Sequence, residues 1–261
     1  MTASISLNLT ADVRYVLRIA DTCLVHVQRM SEWCGHAPVL EEDIALSNLG
    51  LDLLGQSRAL LSHAAELEGS GHSEDSLAFL RDERDYFNLT LVEHPLRRGG
   101  ADFADTQLRC LIVAAWLAPL WQGLWASRDR TLAAIAGKAA KETRYHLEHA
   151  GDWVVRLGDG SAESARRMQA ALARAWPMVA ELFDDDAVDA AAADSGLGPR
   201  ASALREPWLA IVEPLFADAL LALPPDTAFR SHGKRGTHSE HMGYLLAEMQ
   251  HLQRAFPGGA W

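Results

Sequence analysis

The stretch KETRYHLEH, residues 141–149, places Glu142, His146 and His149 within little more than two helical turns. Carboxylate plus imidazole is the ligand chemistry of a non-haem iron centre. A helical bundle builds a di-iron site from one Glu on each of two helices and a Glu-x-x-His pair on each of the other two, because positions i and i+3 share a face and meet one metal. The spacing here is off by one: Tyr145 stands three residues after Glu142, and His146 four. A second polar line, Asn48, Asp52 and Gln56, recurs at intervals of four, but the position three beyond Asp52 is Gly55. Two further helical stretches offer Asp21 and Asp105, the latter with Gln107 and Arg109 beside it. The single Glu-x-x-His of the chain, Glu248 with His251, falls in the last helical stretch, apart from the other candidates. These spacings favour a hydrogen-bonded polar network that fixes helix register, with Asp52, Asn48 and Gln56 at its centre. The metal-bearing alternative is a degenerate di-iron oxygenase on Asp21, Asp52, Glu142 and His146. The sequence assigns no metal ligand and no catalytic residue.

Other chemistries leave no trace. There is no GxSxG, no Walker A sequence and no GxGxxG after a strand. Cys23, Cys34 and Cys110 are odd in number and lack CxxC spacing, which fits buried thiols rather than a disulfide framework or a zinc site. With 24 Lys+Arg against 35 Asp+Glu the net charge is −11, which disfavours nucleic acid or an anionic membrane as the main partner. No apolar run approaches the ~20 residues of a membrane span, and the first residues lack a basic start followed by an apolar core, so a soluble cytoplasmic protein is expected.

The elements that must position these residues are helices. Apolar residues recur at three and four positions almost throughout, and no alternating β-branched run is bounded by turn signals. The periodicity predicts four long helices, 11–30, about 41–68, 103–127 with Pro119 inside, and about 130–157. A shorter helix lies at 77–91 between the second and third. Smaller helices follow: 163–183 with a break near Pro177, about 202–223 punctuated by Pro207 and Pro214, and 239–255. Trp116, Trp121 and Trp125 share the third long helix and suit its core or an interface. No linker separates domains. We expect one domain over 1–261, all-α, with a core bundle at about 11–157 and additional C-terminal helices at about 161–255.

Long segments then supply a resemblance: SEWCGHAPVLEEDIALSNLGLDLLGQSR (31–58), DSLAFLRDERDYFNLTLVEHP (75–95), AAKETRYHLEHAGDWVVRLGDG (139–160), ARRMQAALARAWPMVAELFDDD (165–186) and GKRGTHSEHMGYLLAEMQHLQRAFPG (233–258). In this order they resemble the PaaC family of bacterial phenylacetyl-CoA epoxidase subunits, over about 15–261. The resemblance implies a ferritin-like bundle that is a non-catalytic structural subunit without a cofactor of its own. It implies a sister subunit holding the di-iron centre, and a reductase carrying flavin and an iron–sulfur cluster that supplies electrons from NADPH. The substrate of such a complex is phenylacetyl-CoA. A free-standing helical binding protein is a further alternative. The chain departs from the family pattern at His251, where Tyr is expected, and at RRGGAD (97–102).

A CoA thioester carries phosphate charges, so its nucleotide end calls for Arg or Lys beside hydrogen-bonding or aromatic groups. Arg84, Asp85, Tyr86 and Phe87 have that mixture in a family-matching segment and are expected at the CoA entrance. The alternative there is that Arg81 and Arg84 pair with Asp82, Glu83 and Asp85 on a helix surface. A small helix beginning near Asp186 is expected to offer Asp189, Ala190 and Ala191 to the ligand, unless this is a solvated acidic turn. Lys234 and Arg235, in the glycine-flanked loop HGKRG (232–236), are candidates for partner docking or anion contact.

Overall fold

The structure is a computed structural model and describes residues 3–96 and 101–259; Arg97 and Arg98 of the departing RRGGAD stretch lie outside the described residues. Nine α-helices carry the described chain: α1 Ala11–Met30, α2 Leu40–Glu68, α3 Glu74–Phe79, α4 Phe103–Leu124, α5 Arg130–Gly158, α6 Ala162–Ala175, α7 Ala187–Asp194, α8 Arg205–Asp218 and α9 Glu240–Ala255. The four long helices α1, α2, α4 and α5 form the bundle, with α1 packed on α2, α4 on α5, and α2 closing onto α5. α1 and α2 are joined by a short break, as are α4 and α5, whereas α2 reaches α4 through the long crossover 69–102, the connectivity of a ferritin-like fold.

Helix ends follow their capping chemistry. Thr10 accepts from the N–H of Val13, Asp129 from that of Leu132, and α2 stops at Gly69, whose φ of 76° is the left-handed C-terminal cap. Asp102 and Asp105 form a capping box at the start of α4. α4 runs through Pro119 and is apolar enough by composition to cross a membrane, yet 89% of its apolar window is buried inside the fold. Trp121 and Trp116 are core; Trp125, at its end, is exposed.

One apolar core runs from Val13 in α1 to Leu246 in α9, so the C-terminal helices pack on the bundle rather than beside it. The break expected near Pro177 is present, where α6 gives way to a 3-10 turn, Trp176–Phe183.

The helix expected over 77–91 is a correction. α3 ends at Phe79, and the chain continues as extended backbone interrupted by 3-10 turns at Glu83–Asp85 and Thr90–Val92. Buried side chains take the place of helical carbonyls as acceptors. The N–H of Phe87 donates to Asp21 Oδ2 (2.9 Å), that of Leu89 to Thr22 Oγ1 (3.2 Å), and that of Thr90 to Glu181 Oε2 (3.0 Å). Local apolar spacing is helical there, but these long-range acceptors win.

Candidate functional site

The polar residues of α5 are turned toward α2. His149 Nε2 lies 3.0 Å from Glu42, His146 Nε2 lies 3.1 Å from Asp52, Gln56 donates to Glu142 (3.0 Å), and His63 Nε2 meets Asp129 at 2.7 Å. Residue numbers rise along α2 as they fall along α5, so the two helices are antiparallel and these contacts fix their register. Asn48, expected within the network, is exposed instead. It points off the seam that Asp52 and Gln56 share with α5.

The bundle centre is mostly apolar. A void of about 10 Å³ is lined by Met30, Leu49, Leu53, Val113 and Leu117 together with His26, His146 and Cys110, and by no described carboxylate. Burial, with the charges of Arg109 and His146 behind it, pushes His26 down to about 3, so it is neutral. Asp21 is also committed: its carboxylate receives both Nη1 (2.9 Å) and Nη2 (2.5 Å) of Arg81, each side chain wholly buried, as well as the N–H of Phe87. Among the described residues no three His, Cys, Asp or Glu side chains are grouped so as to hold a metal ion. These residues do not fit a di-iron centre. Glu248 and His251, the isolated pair on α9, are both exposed.

The three segments singled out for ligand or partner contact come together around Arg18 of α1, a residue that sequence reasoning missed. Arg18 donates to Asp186 (3.0 and 2.5 Å), to Asp189 (3.1 Å) and to the carbonyl of Lys234 (3.1 Å). Asp186 and Asp189 also form the capping box that starts α7. Burial disfavours ionised Asp186, yet Arg18 and the N–H groups of Val188 and Asp189 outweigh it and hold the carboxyl well below the usual range. For Asp189 burial wins over Lys234 and Arg18, and its carboxyl is raised. The Lys234 ammonium reaches the carbonyl of Asp184 and, at 3.4 Å, Asp189. Arg235 pairs with Asp184 (2.6 Å) and Asp186 (3.3 Å).

The profile of one family, described as phenylacetic acid catabolic protein, matches residues 2–261. The chain belongs to the phenylacetic acid catabolic protein family. It is 50% identical over 247 residues to the C subunit of 1,2-phenylacetyl-CoA epoxidase from Escherichia coli (strain K12), covering 95% of this chain and 98% of that relative.

Within this family member the loop 232–236 is clamped onto 84–90 by two glycines. A side chain on Gly233 would stand 2.5 Å from the carbonyl of Asn88, and Gly236, with φ at 78°, faces the carbonyl of Arg84. Glu181 completes the clamp by accepting from the N–H groups of Thr90 and Lys234 and from Ser231 Oγ. Of the proposed CoA-entrance residues, Arg84 is exposed and Asp85 half-buried. Tyr86 is wholly buried, its hydroxyl donating to Ala78, and Phe87 packs inside with Arg14 5.4 Å above its ring. Arg81 pairs with Asp21 rather than with its acidic sequence neighbours. Ala190 and Ala191 are half-buried, Asp189 and Lys234 buried, and Arg235 exposed. Arg18 and Glu181 escaped notice, and Asp21 was read only as a ligand candidate, because the partners that explain them lie at least 50 residues away.

Proposed function

We propose that this chain is the non-catalytic structural subunit of a multicomponent phenylacetyl-CoA 1,2-epoxidase, working in the cytoplasm in aerobic phenylacetate degradation. It pairs with a sister subunit that holds the di-iron centre and helps form the acyl-CoA site. A separate reductase delivers electrons from NADPH through flavin and an iron–sulfur cluster. The name of the E. coli relative supports the complex. The observation that supports the structural role is the bundle centre, where a mainly apolar void holds two imidazoles but no described carboxylate, and Asp21 is consumed by Arg81.

The pairing surface we favour is the outer face of α2, where Leu40, Ile44 and Leu51 are exposed, continued by Tyr145 of α5. Acyl-CoA contact falls to Arg84 and Arg235, the exposed cations of the three converging segments. Tyr86, Phe87, Asp189 and Lys234 hold the backbone beneath them, with Asp85, Ala190 and Ala191 at the margin.

The test is iron content and phenylacetyl-CoA-dependent NADPH consumption, measured for the chain alone and with its oxygenase and reductase partners. An iron-free, inactive chain that restores activity to its partners is the expected result. Stoichiometric iron bound by the isolated chain would overturn the reading and make it an oxygenase in its own right.

A further inference from the structure

A cavity of about 340 Å³ lies between the bundle and the C-terminal helices, walled by the end of α1, residues 91–95, the start of α4, α6 and α9. Three guanidiniums, Arg29, Arg109 and Arg174, face it against two carboxylates, Asp105 and Glu248. Two of the three are matched. Arg174 grips Asp105 through two bonds of 2.7 Å, and Arg29 bonds Glu32 (2.7 Å) and the carbonyls of Glu93 (2.7 Å) and His241 (3.2 Å).

Arg109 is different. Only 6% exposed, it donates to the backbone carbonyl of His94 and makes no ion pair with a described carboxylate. Burial, with the charge of Arg29, outweighs the opposing influence of Cys110, Asp105 and Glu32 and pushes it down to about 10, which leaves it charged at neutral pH. A buried cation that Asp105 and Glu32 influence only from beyond ion-pair distance is costly, and the donors of its planar fork are mostly unused. The rest of the lining narrows what would complete it. Leu91, Ala171, Ala175, Met178 and Leu245 offer an apolar wall that inorganic anions do not need.

We propose that this cavity binds a small organic carboxylate with an aromatic or short aliphatic body, its carboxylate on the Arg109 fork and its body against Ala171, Ala175, Met178 and Leu245. The site goes beyond the subunit role argued above and stands or falls without it. No bond is made or broken there; it is a binding site on the side of the bundle that α6 and α9 cover.

The experiment is equilibrium titration of the full chain, by calorimetry and ligand-observed NMR, with three probes: phenylacetate, its neutral isostere phenylacetamide, and inorganic phosphate. A bidentate charged hydrogen bond predicts that phenylacetate saturates one site at least about fivefold tighter than the amide, with phosphate failing to displace it. Arg109→Gln reduces the acid to the affinity of the amide, and Ala175→Leu, which fills the apolar wall, weakens both. No saturable phenylacetate binding, an acid-to-amide ratio below about fivefold, or displacement by phosphate overturns the proposal. Should Arg109→Gln fail to fold, the acid–amide comparison and Ala175→Leu still decide.

Discussion

Asp21 and Arg81 show how much one buried ion pair can organise. Both side chains are fully enclosed, and the same carboxylate receives the N–H of Phe87, so the pair holds the irregular 81–93 segment against α1. Removing one partner leaves an uncompensated buried charge, and Asp21→Asn is expected to cost about 3–5 kcal/mol in urea unfolding. In Asp21→Leu/Arg81→Met the loss should be well short of the sum of the single changes, although Phe87 keeps an unmet donor; strict additivity would show the pair is not coupled. His26 carries the pH dependence at this scale. Its ordinary value of 6.5 falls to about 3 in the folded chain, first through burial and then through Arg109 and His146. The unfolded chain therefore takes up this proton while the folded chain resists it. The contribution of His26 is complete above pH 6.5 and is lost as pH falls toward about 3. Between pH 6 and 4, His26→Leu should flatten the fall of stability by about 1.4 kcal/mol per pH unit, read from urea midpoints; equal slopes would show that His26 titrates normally.

Among the elements, the contrast is between α2–α5 and the loop 232–236. Asp52 and Gln56 on α2, and Glu142 and His146 on α5, were legible as polar lines from their four-residue spacing, but the rungs Glu42–His149, Asp52–His146 and Gln56–Glu142 are set by how the two helices pack. Asn48 was misassigned because a spacing of four places residues on one stripe without saying how wide the buried seam is. The loop was legible only as a glycine-flanked basic stretch. Its function as a clamp depends on Asn88, Arg84 and Glu181, none of them sequence neighbours. Gly233→Ala must push the loop off the Asn88 carbonyl, and an expected loss of about 1–3 kcal/mol should be accompanied by faster amide exchange at Thr90 and Lys234. Unchanged exchange there would mean that the loop and the 84–90 segment move independently.

For the whole molecule, the proposed assembly makes two further predictions. Leu40→Glu with Ile44→Glu places two charges on an exposed apolar ridge, so the isolated chain should keep its circular dichroism while losing co-elution with the oxygenase subunit. Retained co-elution would move the pairing surface elsewhere. Arg84→Ala should weaken acyl-CoA binding by the assembled complex about tenfold if Arg84 meets a phosphate, whereas unchanged affinity removes it from the site. The helical class, the four long bundle helices and the break at Pro177 all follow from periodicity and proline chemistry, which act over a few residues and are therefore written locally.

The sequence by itself determined the all-helical class, the four long bundle helices, the off-by-one spacing of the candidate iron ligands and, through long matching segments, the family. Tertiary structure alone decided which charges meet. Arg18 with Asp186 and Asp189, Asp21 with Arg81, and Glu181 with Thr90 and Lys234 each join positions more than 50 residues apart. Side-chain periodicity says which face a residue occupies on its own helix but not what that face will touch. The 340 Å³ cavity around Arg109 is the same kind of fact: no local pattern records that α6 and α9 close over a cation that makes no ion pair with a described carboxylate.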